Sequence, residues 1–265
     1  VALIFSFSAF SQNAIANRAQ LSTSQVLLIN NLPVQTSNLT YSDALGANGA
    51  MTHTVSFNFN LIQEDPGLSA LLTALQKKNI KETRSEWSFS ILNIDFDHRI
   101  IEQRTYSAIT IQEFSLSPLD ATQSTPVKAN VRLTAANMQV GPGIGKADYA
   151  FAKSRPALSN LYKLTLGTLP TVRVSLISSL MIMPVTPNGV NFTINVSGPD
   201  ALAWNQAFLN GSANNLQGNI QLLSPDNKNA IKTITITDAK ITSFTGGGGN
   251  SKATVVVNAR VLGIQ

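Results

Sequence analysis

The side chains best suited to chemistry are two histidines, His53 and His98. His98 follows Asp95 and Asp97, and two carboxylates with an imidazole can bind a metal ion when other segments supply further ligands. The same spacing is typical of a polar turn between two strands, and we favour the turn. No Ser-His-Asp arrangement is visible around His53, which we interpret as a polar surface residue.

Two adjacent carboxylates, Glu64 and Asp65, could act as an acid–base pair. They directly precede Pro66 and a run of leucines, where capping and the helix dipole explain both of them. Glu82 and Glu86 are interpreted as solvated charges at a strand edge. None of these carboxylates is predicted to be catalytic.

The glycine-rich segment 141–147 resembles a phosphate-binding loop, but its spacing differs and Ala147 stands where Ser or Thr would bind magnesium. We therefore predict a linker over residues 141–160. An asparagine-rich chain is expected by chance to contain glycosylation sequons, and four begin at Asn38, Asn191, Asn195 and Asn210. We predict no catalytic, cofactor-binding or metal-ligating residue, no cofactor, and a protein that is not an enzyme.

The elements that would position any site follow from composition and pattern. The 265 residues are enough for two domains, and 43% of them are hydrophobic. Only 12% are charged, about half the usual share. A neutral polar surface suits packing against other protein copies, because few charges must be desolvated, and it is also common in secreted proteins. The chain has no cysteine, which excludes disulfides and thiolate sites.

The charge is distributed unevenly. Residues 1–150 contain ten basic and eleven acidic residues, a net charge of −1, whereas residues 151–265 contain nine and three, a net charge of +6. The basic side chains are scattered and not interleaved with aromatic ones, so nucleic-acid binding is not expected. Complementary charge between neighbouring subunits is an equally good explanation.

The N-terminal segment, residues 1–24, begins with the apolar run VALIFSFSAF. The run resembles the hydrophobic core and cleavage region of a secretory signal peptide, and it is too short to span a bilayer. The alternative is a strand at a sheet edge or one donated to a neighbour. No other segment approaches transmembrane length, so no membrane span is predicted.

Hydrophobic periodicity predicts a mainly β chain. Strands are expected at 25–30, 34–41, 52–62, 84–96, 100–117, 126–140, 161–167, 171–183, 189–197, 216–223, 231–244 and 252–264. Each half also contains one helix. The first begins at Asp65-Pro66, and its apolar stripe consists of Leu68, Leu71, Leu72 and Leu75. The second begins at Pro199, and it is expected to bury Leu202, Trp204 and Phe208.

These elements occur twice in the same order. The matching segments are Val55–Leu61 with Val190–Val196, Ile109–Ile111 with Ile234–Ile236, and Lys128–Val131 with Lys252–Val255. The pattern predicts two tandem β-sandwich or small-barrel domains, each with one inserted α-helix, at residues 25–140 and 161–265.

The order of elements resembles the tail-tube fold, a family that includes the haemolysin-coregulated tube protein of type VI secretion (Hcp) and phage tail-tube proteins. The features that carry the resemblance are the Leu-Pro strand starts at 32–33 and 169–170, the apolar strands before each helix, the Ile-Thr-Ile strands at 109–116 and 234–241, and closing segments at 114–118 and 255–259. The resemblance implies a structural subunit of a tube or ring that acts as a conduit wall or hub. It also implies self-association with trimer or hexamer-like symmetry, and contacts to sheath or baseplate-like proteins.

The alternative function is an exported β-sandwich adhesin or a pilus-like filament subunit, in which the N-terminal segment would be a cleaved signal or a donated strand. We expect an exported or extracellular assembly, which is cytoplasmic before assembly if the segment is not a signal peptide. A carbohydrate-active enzyme has the weakest support, because neither Trp87 nor Trp204 is expected to be exposed. The interface residues are not predicted.

Overall fold

The computed structural model describes residues 24–46, 49–62, 65–78, 88–151, 155–178, 180–183, 188–246 and 251–265. Strands dominate this part of the chain and form two eight-stranded sheets, accompanied by two helices. The predicted fold class is confirmed. Residues 1–23 lie outside the described residues, so the signal-peptide and donated-strand interpretations both stay predictions. Glu64, Glu82, Glu86 and Trp87 also lie outside the described part.

We refer to residues 24–142 as the first half and to residues 162–264 as the second half. The first half contains one helix, α1 (Pro66–Lys78), and eight strands: β1 (Ser24–Ile29), β2 (Leu32–Val34), β3 (Ser37–Leu45), β4 (Met51–Asn60), β5 (Phe89–Ile94), β6 (Ile100–Leu116), β7 (Leu119–Asp120) and β8 (Lys128–Pro142).

The second half contains the helix α2 (Gly198–Leu209) and eight further strands: β9 (Tyr162–Leu166), β10 (Val174–Ile177), β11 (Leu180–Met183), β12 (Val190–Ser197), β13 (Leu216–Leu223), β14 (Ala230–Gly246), β15 (Lys252–Ala259) and β16 (Val261–Ile264). The predicted strand 171–183 is therefore two short strands, and the predicted strand 252–264 is interrupted at Arg260.

The two sheets repeat one strand order. The first runs β1-β5-β6-β8-β4-β3, and the second runs β9-β13-β14-β15-β12-β10, with each strand matched by its counterpart in sequence. The helix follows β4 in one half and β12 in the other. Strand-rich chains in general do not have the same order of six strands in two sheets with a helix at the same place in each. The internal repeat is therefore real.

The register shows which residues are true counterparts. A bulge separates Ile111 from Glu113 in β6, and the equivalent bulge separates Ile241 from Ser243 in β14. Three residues before each bulge starts, the backbone has a positive φ, 54° at position 108 and 49° at position 238. The match of Ile109–Ile111 with Ile234–Ile236 is therefore wrong, because Ile111 corresponds to Ile241.

A similar slip affects the strand before the helix. Phe57 pairs with Val131, and Ile194 pairs with Val255, so Phe57 corresponds to Ile194 and not to Phe192. The match between Lys128–Val131 and Lys252–Val255 agrees with both registers. Side chains of a strand alternate with a period of two, so an apolar pattern fits equally well after a shift of two residues.

The helix α1 begins as predicted. The Asp65 carboxylate accepts a hydrogen bond from the backbone N–H of Leu68 at 2.9 Å, which caps the helix, and Pro66 occupies the first position, where no donor is needed. Leu68, Leu71 and Leu72 are buried. This stripe fixes the helix against the first half.

The helix α2 differs from its prediction in one residue. Trp204 is fully buried and donates its indole N–H to the carbonyl oxygen of Pro170 at 2.6 Å, and Phe208 is partly buried. Leu202 was expected to be buried and is 58% exposed. It stands two residues before Trp204, and two residues on a helix do not share one face.

The segment predicted as a linker lies against the first sheet. Ala147 is buried in a small apolar cluster with Val26, Leu28, Leu92 and Ile94, and Tyr149 and Phe151 pack on it. The backbone N–H of Ala147 also donates to the carbonyl oxygen of His98 at 2.8 Å. The strand β8 continues to Pro142, two residues into the predicted linker. The boundaries of the domains themselves stay predictions.

Candidate assembly surfaces

The acidic residues near His98 form a turn, as the sequence predicts. One carboxylate oxygen of Asp95 accepts hydrogen bonds from the backbone N–H groups of Asp97 at 2.9 Å and Arg99 at 2.8 Å. The His98 imidazole is exposed and lies 3.8 Å from the Asp148 carboxylate. Nowhere in the described ranges do three His, Cys, Asp or Glu side chains come together in a group that could hold a metal ion.

His53 was interpreted as a polar surface residue, and this is wrong. It is 7% exposed, and its Nδ1 lies 2.7 Å from the Asp43 carboxylate of the neighbouring strand β3. The edge of its ring also faces Tyr106 at a centroid distance of 6.4 Å. Residue 53 shares its strand face with the apolar core residues Val55 and Phe57, which is why it points inward.

Tyr106 extends this cluster across the interior of the sheet. Burial raises the pKa of its phenol to about 12, although the nearby Arg104 guanidinium acts in the opposite direction. The phenol oxygen is buried, and no partner meets full hydrogen-bond geometry with it. Arg104 lies 4.3 Å above the Tyr41 ring and makes an ion pair of 2.7 Å with Glu102. These contacts tie the edge strand β3, through Tyr41 and Asp43, to the opposite strand β6.

The four sequon asparagines all lie on or next to regular elements. The Asn191 and Asn195 side chains accept hydrogen bonds from Asn258 at 2.8 Å and from Thr254 at 3.1 Å, respectively. Asn38 lies in β3, and Asn210 ends α2 and accepts a hydrogen bond from the backbone N–H of Ser212. The amides of Asn191, Asn195 and Asn210 therefore serve local structure.

The most informative surface lies between the two halves, which exchange strands. The short strand β7, from the loop after β6, leaves the first sheet and pairs with β10 of the second. Leu119 lies opposite Ile177, and both are fully buried. The edge of the second sheet is therefore covered by a segment of the first half.

The exchange is reciprocal. The strand β11 of the second half pairs antiparallel with the end of β6, where Leu180 lies opposite Leu116 and Met181 lies opposite Ser115. The side chains of Leu180 and Leu116 are fully buried. We call the contacts of β7 with β10 and of β11 with β6 the internal junction. The sequence predicted neither partner, because both strands are short and their pairing is non-local.

Charged groups of the two halves also come close to each other. Hydrogen bonds from Thr122 lower the pKa of Asp120 in β7, and Lys252 of the second half contributes to the same shift. Burial lowers the pKa of Lys232 in β14, while the charge of Asp65, at the start of α1, acts in the opposite direction. The more acidic half therefore meets the more basic half through carboxylate and ammonium groups of opposite charge.

The counterparts of the junction strands are open. The strand β3 corresponds to β10, and within the described part of the chain it pairs with β4 alone. Its outward residues are mostly exposed, and Leu45 at its end is 70% exposed. An edge strand of nine residues with free backbone groups is a template for pairing with another chain.

The end of β14 is open in the same way. Phe244 and Thr245 pair with β15 on one side, as Phe114 and Ser115 pair with β8. No described strand covers their other side, whereas β11 covers that side of the first pair. Phe114 is fully buried, and Phe244 is only partly buried.

Comparison with known proteins gives a structural similarity and no family. No protein-family model matches the chain, and no curated protein matches it significantly. Among solved structures, the chain is similar to a chain of the cryo-EM structure of the anti-feeding prophage (AFP) baseplate, 6-fold symmetrised, with a TM-score of 0.32 and 14% sequence identity. The similarity covers 44% of this chain and 91% of that chain.

Neither α1 nor α2, the helices within the described residues, has the length and apolar character that a membrane span requires.

Proposed function

We propose that the protein is a structural, non-catalytic subunit that associates with copies of itself into a ring or tube, as a conduit wall or hub of the kind found in phage tails and contractile injection systems. The observation that carries the proposal is the internal junction. It is an edge-to-edge contact between two like units, made inside one chain by β7 and β11.

The open edges favour further association. A unit with two open edges binds one neighbour at each of two different surfaces. Repeated head-to-tail contacts of this kind give a ring when the rotation between successive copies closes on itself, and a filament when it does not. The first half leaves β3 open, and the second half leaves the end of β14 open, in the described part of the fold. Natural proteins rarely leave a long edge strand unpaired without charges, prolines or a covering loop, and β3 contains one charged residue, Asp43.

The composition supports the same proposal. Only 12% of the residues are charged, so a large interface would desolvate few ions. The net charges of −1 and +6 in the two parts of the sequence favour head-to-tail contact over contact between identical surfaces. The likeness of the sequence to tail-tube proteins agrees with such an assembly, and sheath or baseplate-like proteins are the further partners that we propose.

The proposal is tested by mass photometry and negative-stain microscopy of the purified chain over a range of concentrations. The expected result is mass growth in whole-subunit steps and rings or tubes of constant width. A monomer at every concentration would overturn the proposal. Thin filaments without a channel would instead favour a pilus-like filament subunit.

We also propose that the assembled structure is exported. Mass spectrometry of the native protein tests this, because a mature chain that starts near Gln12 or Asn13 is expected after signal cleavage. A native protein that retains Val1 would contradict a cleaved signal and favour a structural role for the apolar segment.

A further inference from the structure

We propose that the open edge of β3 in one copy pairs with the open end of β14 in a second copy, in the way that β11 pairs with β6 inside the chain. The inference rests on the proposed function and specifies its interface. The partner is a second copy of this chain, and the contact is head to tail because the two surfaces differ.

The first step is the equivalence of β14 with β6. The shared bulge places Phe244, Thr245 and Gly246 at the positions of Phe114, Ser115 and Leu116. In β6 these residues lie between β8 and β11. In β14 they have β15 on one side, and the described residues provide no strand on the other.

The second step is the equivalence of β3 with the run that contains β10 and β11. Thr40 pairs with Ser56 of β4, and the backbone N–H of Ser178 donates to Thr193, the counterpart of Ser56 in β12. Continuing along the chain, Ser42 takes the place of Leu180. Leu180 lies opposite Leu116 in the internal junction, so Ser42 is expected opposite Gly246 of the second copy.

The third step is burial. Leu45 at the end of β3 takes the place of Met183, which lies opposite Phe114 in the internal junction. Phe114 is fully buried, whereas its counterpart Phe244 is only partly buried and Leu45 is 70% exposed. Met51, paired with Leu45 across the hairpin, is 45% exposed. Phe114, which the internal junction buries, thus has a less buried equivalent in Phe244, and the exposed Leu45 lies where it could cover that residue. Burying Phe244 and Leu45 against each other would remove apolar surface from water.

The backbone geometry permits the contact without refolding. The strand β3 keeps its pairing with β4 and presents its second edge, as the middle strands of both sheets do. The Asp43–His53 contact and the stacking of Arg104 on Tyr41 hold β3 in place on the first half. A pre-organised edge loses less conformational entropy on association than a mobile one.

Disulfide trapping between two single-cysteine chains tests this pairing. The chain has no native cysteine, so a disulfide forms only between introduced thiols. One chain contains Ser42→Cys, the other contains Gly246→Cys, and both positions are exposed. Mixed under mild oxidation, they are expected to give a cross-linked heterodimer at least tenfold faster than Ser42→Cys mixed with Gln206→Cys, a matched control on the exposed face of α2.

The outcomes separate the inference from the proposed function. Assembly of the wild-type chain together with the specific cross-link supports both. Assembly of the wild-type chain with no cross-link above the control rate overturns the pairing and leaves the ring or tube proposal intact. If the wild-type chain stays monomeric at every concentration, both are overturned.

A charge substitution provides an independent readout. Leu45→Lys is expected to weaken association at least tenfold by mass photometry, because the lysine would have to be desolvated in the interface. Leu209→Lys is the control, since Leu209 is 73% exposed at the end of α2 and belongs to neither open strand. Equal association of the two variants would contradict the inference. Unchanged thermal unfolding of both shows that each variant is folded.

Discussion

The first and second halves share a strand order and differ in what covers their edges. In the second half, β10 is covered by β7, and β11 leaves its own sheet to pair with β6. In the first half, the equivalent residues remain in one strand of nine residues, β3, which folds back on β4. The same element of the repeat is thus an exchanged strand in the second half, where it forms β10 and β11, and an open edge strand, β3, in the first half.

This difference shows how a repeated fold can encode an interface. If the outer edges pair as we propose, the internal junction is the same contact made inside one chain. Leu180 and Leu116 are buried there, and their equivalents Ser42 and Gly246 are exposed. Substitutions in the internal junction and at the open edges should therefore have unequal effects.

The largest expected difference is between Leu180 and Leu45. Leu180→Ala removes a fully buried side chain from the internal junction and should lower the free energy of unfolding by about 2–5 kcal/mol, through lost burial and a cavity. Leu45→Ala, at an exposed position, should change it by no more than about 0.5 kcal/mol in the monomer. Urea unfolding measures both. Equal effects would mean that β11 does not contribute to the stability of the first half.

A smaller difference is expected between the two helix starts. Asp65→Ala removes the carboxylate that caps α1 and should cost about 1 kcal/mol of unfolding free energy. Ser197 stands at the same position before α2, and its side chain makes no capping hydrogen bond. Ser197→Ala should therefore stay within about 0.5 kcal/mol of the wild type in the same urea titration. A larger loss for Ser197→Ala than for Asp65→Ala would contradict this assignment of the caps.

The smallest difference concerns two tyrosines at high pH, Tyr106, which is buried, and Tyr162, which is half-buried. Burial raises the pKa of Tyr106 and of Tyr162 to about 12, from the usual value near 10. The neutral phenol is thus favoured in the folded state. The resulting stability is fully present below pH 10 and is lost as the pH rises from about 10 through about 12. Substitution by phenylalanine should remove this alkaline loss at each position.

The two tyrosines should differ at neutral pH. Tyr162 donates a hydrogen bond to the carbonyl oxygen of Val174 at 3.1 Å, so Tyr162→Phe should cost about 1 kcal/mol at pH 7. Tyr106 lacks a partner of full hydrogen-bond geometry, so Tyr106→Phe should cost less. Thermal unfolding of both variants at pH 7 and pH 11 distinguishes the two environments. A greater cost for Tyr106→Phe at pH 7 would indicate a partner for its hydroxyl.

Local chemistry explains what the sequence predicted well. The cap at Asp65 and the turn at Asp95 depend on neighbours in sequence, and each was predicted from a few adjacent residues. The strands were also located to within a few residues, because the alternation of apolar and polar side chains is itself a local signal.

The register of the strands and the choice of their partners were harder to predict from the sequence. An alternating strand matches its repeat after any shift of two residues, and this led to the wrong pairing of Phe57 with Phe192. The burial of His53 depends on Asp43, which is supplied by another strand. The exchanged strands have two and four residues, too few to show a period, and their partners are distant in sequence. The interface therefore became visible only when the two sheets could be compared.

The strand exchange also has a consequence for biosynthesis. During translation, the first half leaves the ribosome before β11 has been synthesised. The edge at the end of β6 therefore stays unpaired while the connecting segment, β9 and β10 are being made. Domains generally fold as they emerge, and unpaired edges are prone to aggregate. The nascent first half cannot complete its sheet alone. Its folding is finished only when β11 of the second half has been synthesised and can pair with β6.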